Sequence, residues 1–249
     1  MIKNLSRKTC LLVVFMCSVW GMAHAQITLG AKTGINVNQF SQPGTTIGAN
    51  VGIYGAYQVL PFLSVKLEPQ YSQEGGGRPD YSRDYSQISD NVTFITFVNP
   101  NVTFHNVLVP LLLEFTLPEF QDEAMVPKLI LGGSYGLMVS AMEEHTKRYN
   151  YVDNVPPLSG SSNFTQLDVA YQRENVIDNY ARNQWSLIFG MGMQYKVADR
   201  TFMFDLRYRQ GMNNLNMLRF ASPTFTPGTG GNLRSSSMSF NFSMSIFNF

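Results

Sequence analysis

Cysteine is nearly absent from this 249-residue chain: Cys10 and Cys17 are the only two. Both fall in a stretch that reads as a cleaved leader. Lys3, Arg7 and Lys8 precede a short apolar run, Leu11 to Trp20, and Ala23-His24-Ala25 supplies a small-x-small end. That is the pattern of a secretory signal peptide spanning residues 1–25, with cleavage expected before Gln26. The mature chain, 26–249, then has no thiol for a disulfide, a thiolate metal site or a cysteine nucleophile. Charge is also scarce, at 14% of residues, where soluble domains carry about 25%. The leader takes three of the 18 basic residues and none of the 17 acidic ones, so the mature chain is nearly neutral. Such a balance leaves no electrostatic footprint for nucleic acid. Long apolar runs are missing too. No internal segment approaches the roughly 20 apolar residues of a transmembrane helix, and the leader's apolar run is too short to span.

What the chain does have is alternation. From Ser235 to Phe249, Met238, Phe240, Phe242, Met244 and Ile246 share one parity, while Ser237, Ser239, Asn241, Ser243 and Ser245 share the other. Successive side chains of a β-strand point to opposite faces, so this segment has one greasy face and one small polar face. The pattern recurs in seven more segments: Ile27–Asn38, Ile47–Val59, Leu63–Ser72, Phe104–Leu117, Lys128–Ser140, Gln184–Lys196 and Thr201–Asn213. With no helical layer to cover the greasy faces, the pattern predicts an all-β, eight-stranded antiparallel transmembrane β-barrel. Its apolar face meets lipid and its polar face lines the lumen. The links after the second, fourth and sixth segments are short and the others longer, as expected for tight periplasmic turns and long extracellular loops in a bacterial outer membrane. In the fourth segment Leu108, Pro110 and Leu112 spoil the inward polarity, and Pro110, unable to donate to a ladder, predicts a bulge. Phe249 falls out of parity with Phe240 to Ile246, which requires a bulge near Phe247 or leaves a weak terminal assembly signal.

Eight strands enclose a lumen that side chains fill. The inward parity collects Lys32, Lys66, Glu68, Glu114, Lys128, Asp205, Arg207 and Arg209. Buried charges are costly unless paired, so an ion-pair plug is the favoured reading and a proton or substrate relay the alternative. No catalytic residue is expected, no metal and no cofactor. His105 lies at a strand rim without a nameable serine partner, and Glu143-Glu144-His145, placed in a long loop, lacks metal-ligand spacing. Gly75-Gly-Gly77 reads as a flexible loop start. Tyr81, Tyr85, Tyr149, Tyr151, Tyr171 and Tyr180 fall in the long loops, where aromatics either bind ligands or partner proteins or pack on one another above the barrel mouth.

Five motifs occur in order: Gly30-Ala-Lys-Thr-Gly34-Ile-Asn36, Leu67-Glu68-Pro-Gln-Tyr71-Ser-Gln73, Val109-Pro110-Leu-Leu-Leu113, Gly132-Gly-Ser-Tyr135-Gly136 and Asp205-Leu-Arg207-Tyr208-Arg-Gln-Gly211-Met-Asn213. Together they resemble the PorT-like outer-membrane β-barrel family. The resemblance implies a porin-like eight-stranded barrel, usually without a known ligand, and one branch of the family serves a type IX protein secretion system. The expected partners are outer-membrane lipid, the barrel-assembly machinery and an unidentified secretion-system or surface protein. The expected role is non-enzymatic, structural or loop-mediated, with a narrow channel or a secretion accessory subunit as alternatives.

Overall fold

The computed structural model describes residues 26–40, 44–78, 80–84, 92–120, 124–152, 164–198, 200–217 and 232–248. The signal peptide expected over residues 1–25 therefore lies outside the described residues. In chain order the strands are β1 (Ile27–Phe40), β2 (Thr45–Leu60), β3 (Leu63–Leu67), β4 (Gln70–Gly77), β5 (Tyr81–Asp84), β6 (Val92–Thr116), β7 (Met125–Val152), β8 (Phe164–Asn175), β9 (Asn183–Val197), β10 (Arg200–Gly211) and β11 (Ser235–Asn248). No described helix is long and apolar enough to cross a membrane, which says nothing of strands.

The alternation closes the sheet on itself. β1 pairs antiparallel with both β2 and β11, and the ring continues through β10, β9, β7, β6 and the β3–β4 stave back to β2. Eight staves result, because β3 and β4 share one register. Leu67 faces Leu111 and Gln70 faces Leu108, with Glu68 N–H donating to the Pro110 carbonyl at 3.0 Å. The bulge expected at Pro110 does not form. The register on the β7 side runs unbroken through Pro110 opposite Ser134. The proline sits where the facing chain is itself interrupted at Pro69, so neither proline forces an extra residue into the ladder.

Irregularity falls elsewhere. Leu29 faces Phe247 but Gly30 faces Ser245, leaving Ile246 bulged. That bulge shifts the parity of Phe247 and Asn248; Phe249 lies outside the described residues. A second shift sets His105 opposite Ser140 and Asn106 opposite Met138, which bulges Val139. A third surrounds Asn99, whose φ is 49°.

The outward parity is greasy and open: Ile47, Val51, Ile53, Leu111, Leu129, Met191, Phe204 and Phe240 are all more than half exposed. Aromatic pairs flank this band. Tyr135 and Trp185 lie 4.7 Å apart between ring centroids, and the Tyr71 hydroxyl bonds His105. Rings with one polar tip suit a lipid–water boundary.

The links at the end carrying both termini are short: 61–62, 117–124 and 198–199. At the opposite end 41–44 joins β1 to β2, shorter than the sequence led one to expect, while β6 and β7 run far past the ring. Their extension pairs with β5 on one side and β8 on the other, forming a four-stranded sheet beyond the barrel. The glycine run is part of this framework, not a loop start. A Cβ on Gly75 would run into the Val102 carbonyl, and one on Gly76 would lie 2.9 Å from the Phe40 ring. Gly75→Val should therefore cost about 1–3 kcal/mol by overpacking. Urea midpoints of the refolded barrel check this; an unchanged midpoint would mean that β4 lies farther from β6.

Candidate functional site

The lumen is layered, and each layer follows from strand parity. Near the end carrying the termini, Lys66 Nζ lies 3.1 Å from Glu114 Oε1, and Lys128 Nζ lies 3.1 Å from Glu114 Oε2. One rung deeper, Glu68 is 0% exposed and gathers three cations: Lys32 at 2.8 Å, Lys66 at 3.0 Å and Arg207 at 2.5 Å. Arg207 also reaches Asp205 at 2.6 Å, and Asp205 accepts from Asn241 at 2.6 Å. Asn241, Asn50 and Asn36 then pass hydrogen bonds toward Ser72 and Glu74, which pairs with Arg209. All eight charged residues expected in the lumen are thus on the inner wall, together with Glu74.

Apolar residues fill the other side of the same cross-section. Leu112, Ile130, Ile188 and Met203 form a buried cluster, so the inward greasiness of the fourth segment is a packed layer. Within the buried layer Lys32, Lys66, Arg207 and Arg209 face Glu68, Glu74, Glu114 and Asp205, four charges of each sign. Such pairing offsets the desolvation of burying them.

Above this layer sits an apolar lid of Phe40, Val102, Phe104, Met138, Ala141, Val176, Tyr180, Leu215 and Leu233. A 3-10 turn, Ile177–Asn179, delivers Tyr180 into it. Phe104 meets Phe40 at 5.3 Å and Tyr180 at 4.8 Å between ring centroids. The Tyr180 hydroxyl accepts from Arg78 at 2.7 Å and donates to Glu143 at 3.2 Å. Tyr180, a loop aromatic for which binding and packing above the mouth were both open, packs and is 1% exposed. Burial of its phenol and the neighbouring Glu143 carboxylate push its pKa up. Tyr171 does stand open on β8, at 64% exposure. Tyr81 lies on β5, Tyr149 and Tyr151 on β7, and Tyr85 lies outside the described residues.

His145 is also relocated. The bulged Val139 reverses the parity of β7, so Ala141, Glu143 and His145 turn inward where unbroken alternation would turn them out. His145 Nδ1 lies 3.1 Å from Glu143, Nε2 lies 4.0 Å from Glu174, and the ring meets Phe97 edge-on at 4.7 Å. Lys147 pairs with Glu174 beside it, and Arg78 lies 3.8 Å from Glu143. Among the described residues no group of three His, Cys, Asp or Glu side chains could hold a metal.

Burial lowers the His145 pKa, against the pull of Glu143 and Glu174 and with help from Lys147. The unfolded segment then takes up its proton first as pH falls. The stability this histidine contributes is full above its ordinary pKa of about 6.5 and declines below it. Backbone amides of 177–182 should exchange hydrogen faster at pH 5 than at pH 7.5 after correction for intrinsic rates, and His145→Gln should remove that step. Equal protection at both pH values would place His145 in water.

Residues 22–216 match the family described as outer membrane protein beta-barrel domain. The chain belongs to this family. It is accordingly an outer-membrane β-barrel protein. No curated protein matches it in sequence. Among solved structures it is similar to Neisserial surface protein A, at 12% identity and TM-score 0.39, over 87% of this chain and 95% of that one. It is also similar to Ail, the attachment invasion locus protein of Yersinia pestis, at 12% identity and TM-score 0.37, covering 90% and 99%. A major outer membrane protein from Thermus thermophilus matches at 10% identity and TM-score 0.39, covering 90% and 99%.

Proposed function

We propose that this protein is a non-enzymatic outer-membrane barrel that does not conduct solutes and works through the sheet projecting from its outer end. One observation carries the reading: a charge-balanced layer and an apolar lid fill the lumen in series, and the void left inside the charged layer, beside Lys32, Arg207 and Arg209, is about 20 Å3. That is room for about one water, not a water column. The short turns and both termini then face the periplasm, and the β5–β8 sheet stands outside the cell.

A sheet this far beyond the lipid has no role in spanning. β6 and β7 have 25 and 28 residues, where a transmembrane strand needs about 9–11. Binding at the cell surface gives the extension a use, with Tyr171 and Arg173 on β8 open to a partner. The PorT-like assignment rests on the five ordered motifs and favours no secretion role by any residue of its own.

The test is to cut the outer extension back to its membrane-level rungs. Cells carrying the trimmed barrel should still exclude large antibiotics yet lose surface attachment. Loss of exclusion with attachment unchanged would favour a purely structural role.

A further inference from the structure

The lumen is not filled to its inner end. Below the Lys66–Glu114–Lys128 layer a blind cup of about 880 Å3 opens at the end that carries both termini. That volume falls within the range of about 300–1,000 Å3 typical of small-molecule sites. Its lining is mainly polar, with Tyr54, Gln58, Gln194 and Ser243 among the wall residues. Charge on the wall is unbalanced. Among the described residues, Lys66, Lys128 and Lys196 line the cup against a single carboxylate, Glu114, while Arg200 at the rim turns its guanidinium to Met244 Sδ on the outer face. Glu114 is already held between Lys66 and Lys128 at 3.1 Å each. Lys196 has no ion-pair partner among the described residues and is exposed at the rim.

The balance deeper in the lumen sharpens the contrast. There, cations and carboxylates match in number, so the excess positive charge of the inner wall collects in the cup at Lys128 and Lys196. A concave wall of one sign with an apolar floor focuses its field on whatever enters. The floor is apolar in part, through Val126 and Met203.

We infer that the cup is a binding site for a small multivalent anion, one bearing several phosphate or carboxylate groups, admitted from the periplasmic side. Such a ligand meets the Lys128 and Lys196 ammonium groups without displacing the Glu114 bridge. The blind end makes it a site of capture rather than passage.

Isothermal titration of the refolded mature barrel in zwitterionic detergent with inorganic tripolyphosphate tests this. One saturable site is expected, with affinity falling as salt rises. Lys196→Glu, an exposed change that leaves the plug intact, should weaken binding by about tenfold or more through charge reversal at the rim. Lys128→Gln should weaken it as well. Absence of saturable binding, or equal affinity in the parent and Lys196→Glu, would overturn the proposal; the latter outcome would mean only diffuse attraction to the protein surface.

Discussion

Glu68→Gln is expected to lower the unfolding free energy of the barrel by about 3–5 kcal/mol, the usual cost of removing one partner from a buried ionic cluster. The size follows from Glu68 being the hub. It is fully buried and takes Lys32, Lys66 and Arg207 within 3.0 Å. The amide is nearly isosteric, so packing stays constant while three ammonium or guanidinium groups lose their shared counter-charge. Lys66 retains Glu114 and Arg207 retains Asp205, whereas Lys32 keeps no other carboxylate within 4.0 Å among the described residues. Removing that cation as well, in Glu68→Gln with Lys32→Met, should recover part of the loss, and the double-mutant cycle reads the coupling. Urea unfolding in lipid vesicles, followed through tryptophan fluorescence, measures both. A Glu68→Gln midpoint equal to the parent's would mean that water, not protein, solvates these cations.

Tyr180→Ala should have the second-largest effect, and a local one. Emptying a buried aromatic site costs about 3–5 kcal/mol where the surroundings cannot collapse. Tyr180 packs on Phe104 and joins Arg78 to Glu143, so its loss removes the anchor of the 177–182 segment rather than any rung of the ring. The barrel should keep heat-modifiable gel migration, while amides of 177–182 lose protection and trypsin gains access after Arg182. Tyr180→Phe keeps the ring and removes only the hydroxyl, so its cost should be about 1 kcal/mol. If Tyr180→Ala leaves protection and cleavage unchanged, the lid does not close the outer mouth.

The ring was legible in the sequence because barrel strands carry a period of two, and the parity of Lys32, Lys66, Glu68 and Arg207 survives folding without interruption. Glu74 was legible by the same rule, since it continues the inward series Lys66, Glu68, Gln70 and Ser72; the glycine run after it disguised the strand. His145 and Glu143 were not legible. A single bulged residue, Val139, exchanges the two faces of everything beyond it, and no local composition marks a bulge there. Tyr180 was hidden for a different reason. Its burial depends on a turn folding back over the mouth to meet Phe40 and Phe104 from distant strands, and long-range packing of that kind leaves no periodic trace. The short β1–β2 link was misjudged because Gln39, Thr45 and Thr46 read as loop residues while serving as ladder rungs.

Electrical conductance of single refolded barrels, residues 26–249 in a planar bilayer, tests the sealed lumen most directly. A silent bilayer is the predicted result, with heat-modifiable migration confirming that folded protein has inserted. Discrete, reproducible openings from the parent protein at neutral pH would contradict the account, because ions would then be crossing both the Glu68 layer and the Tyr180 lid.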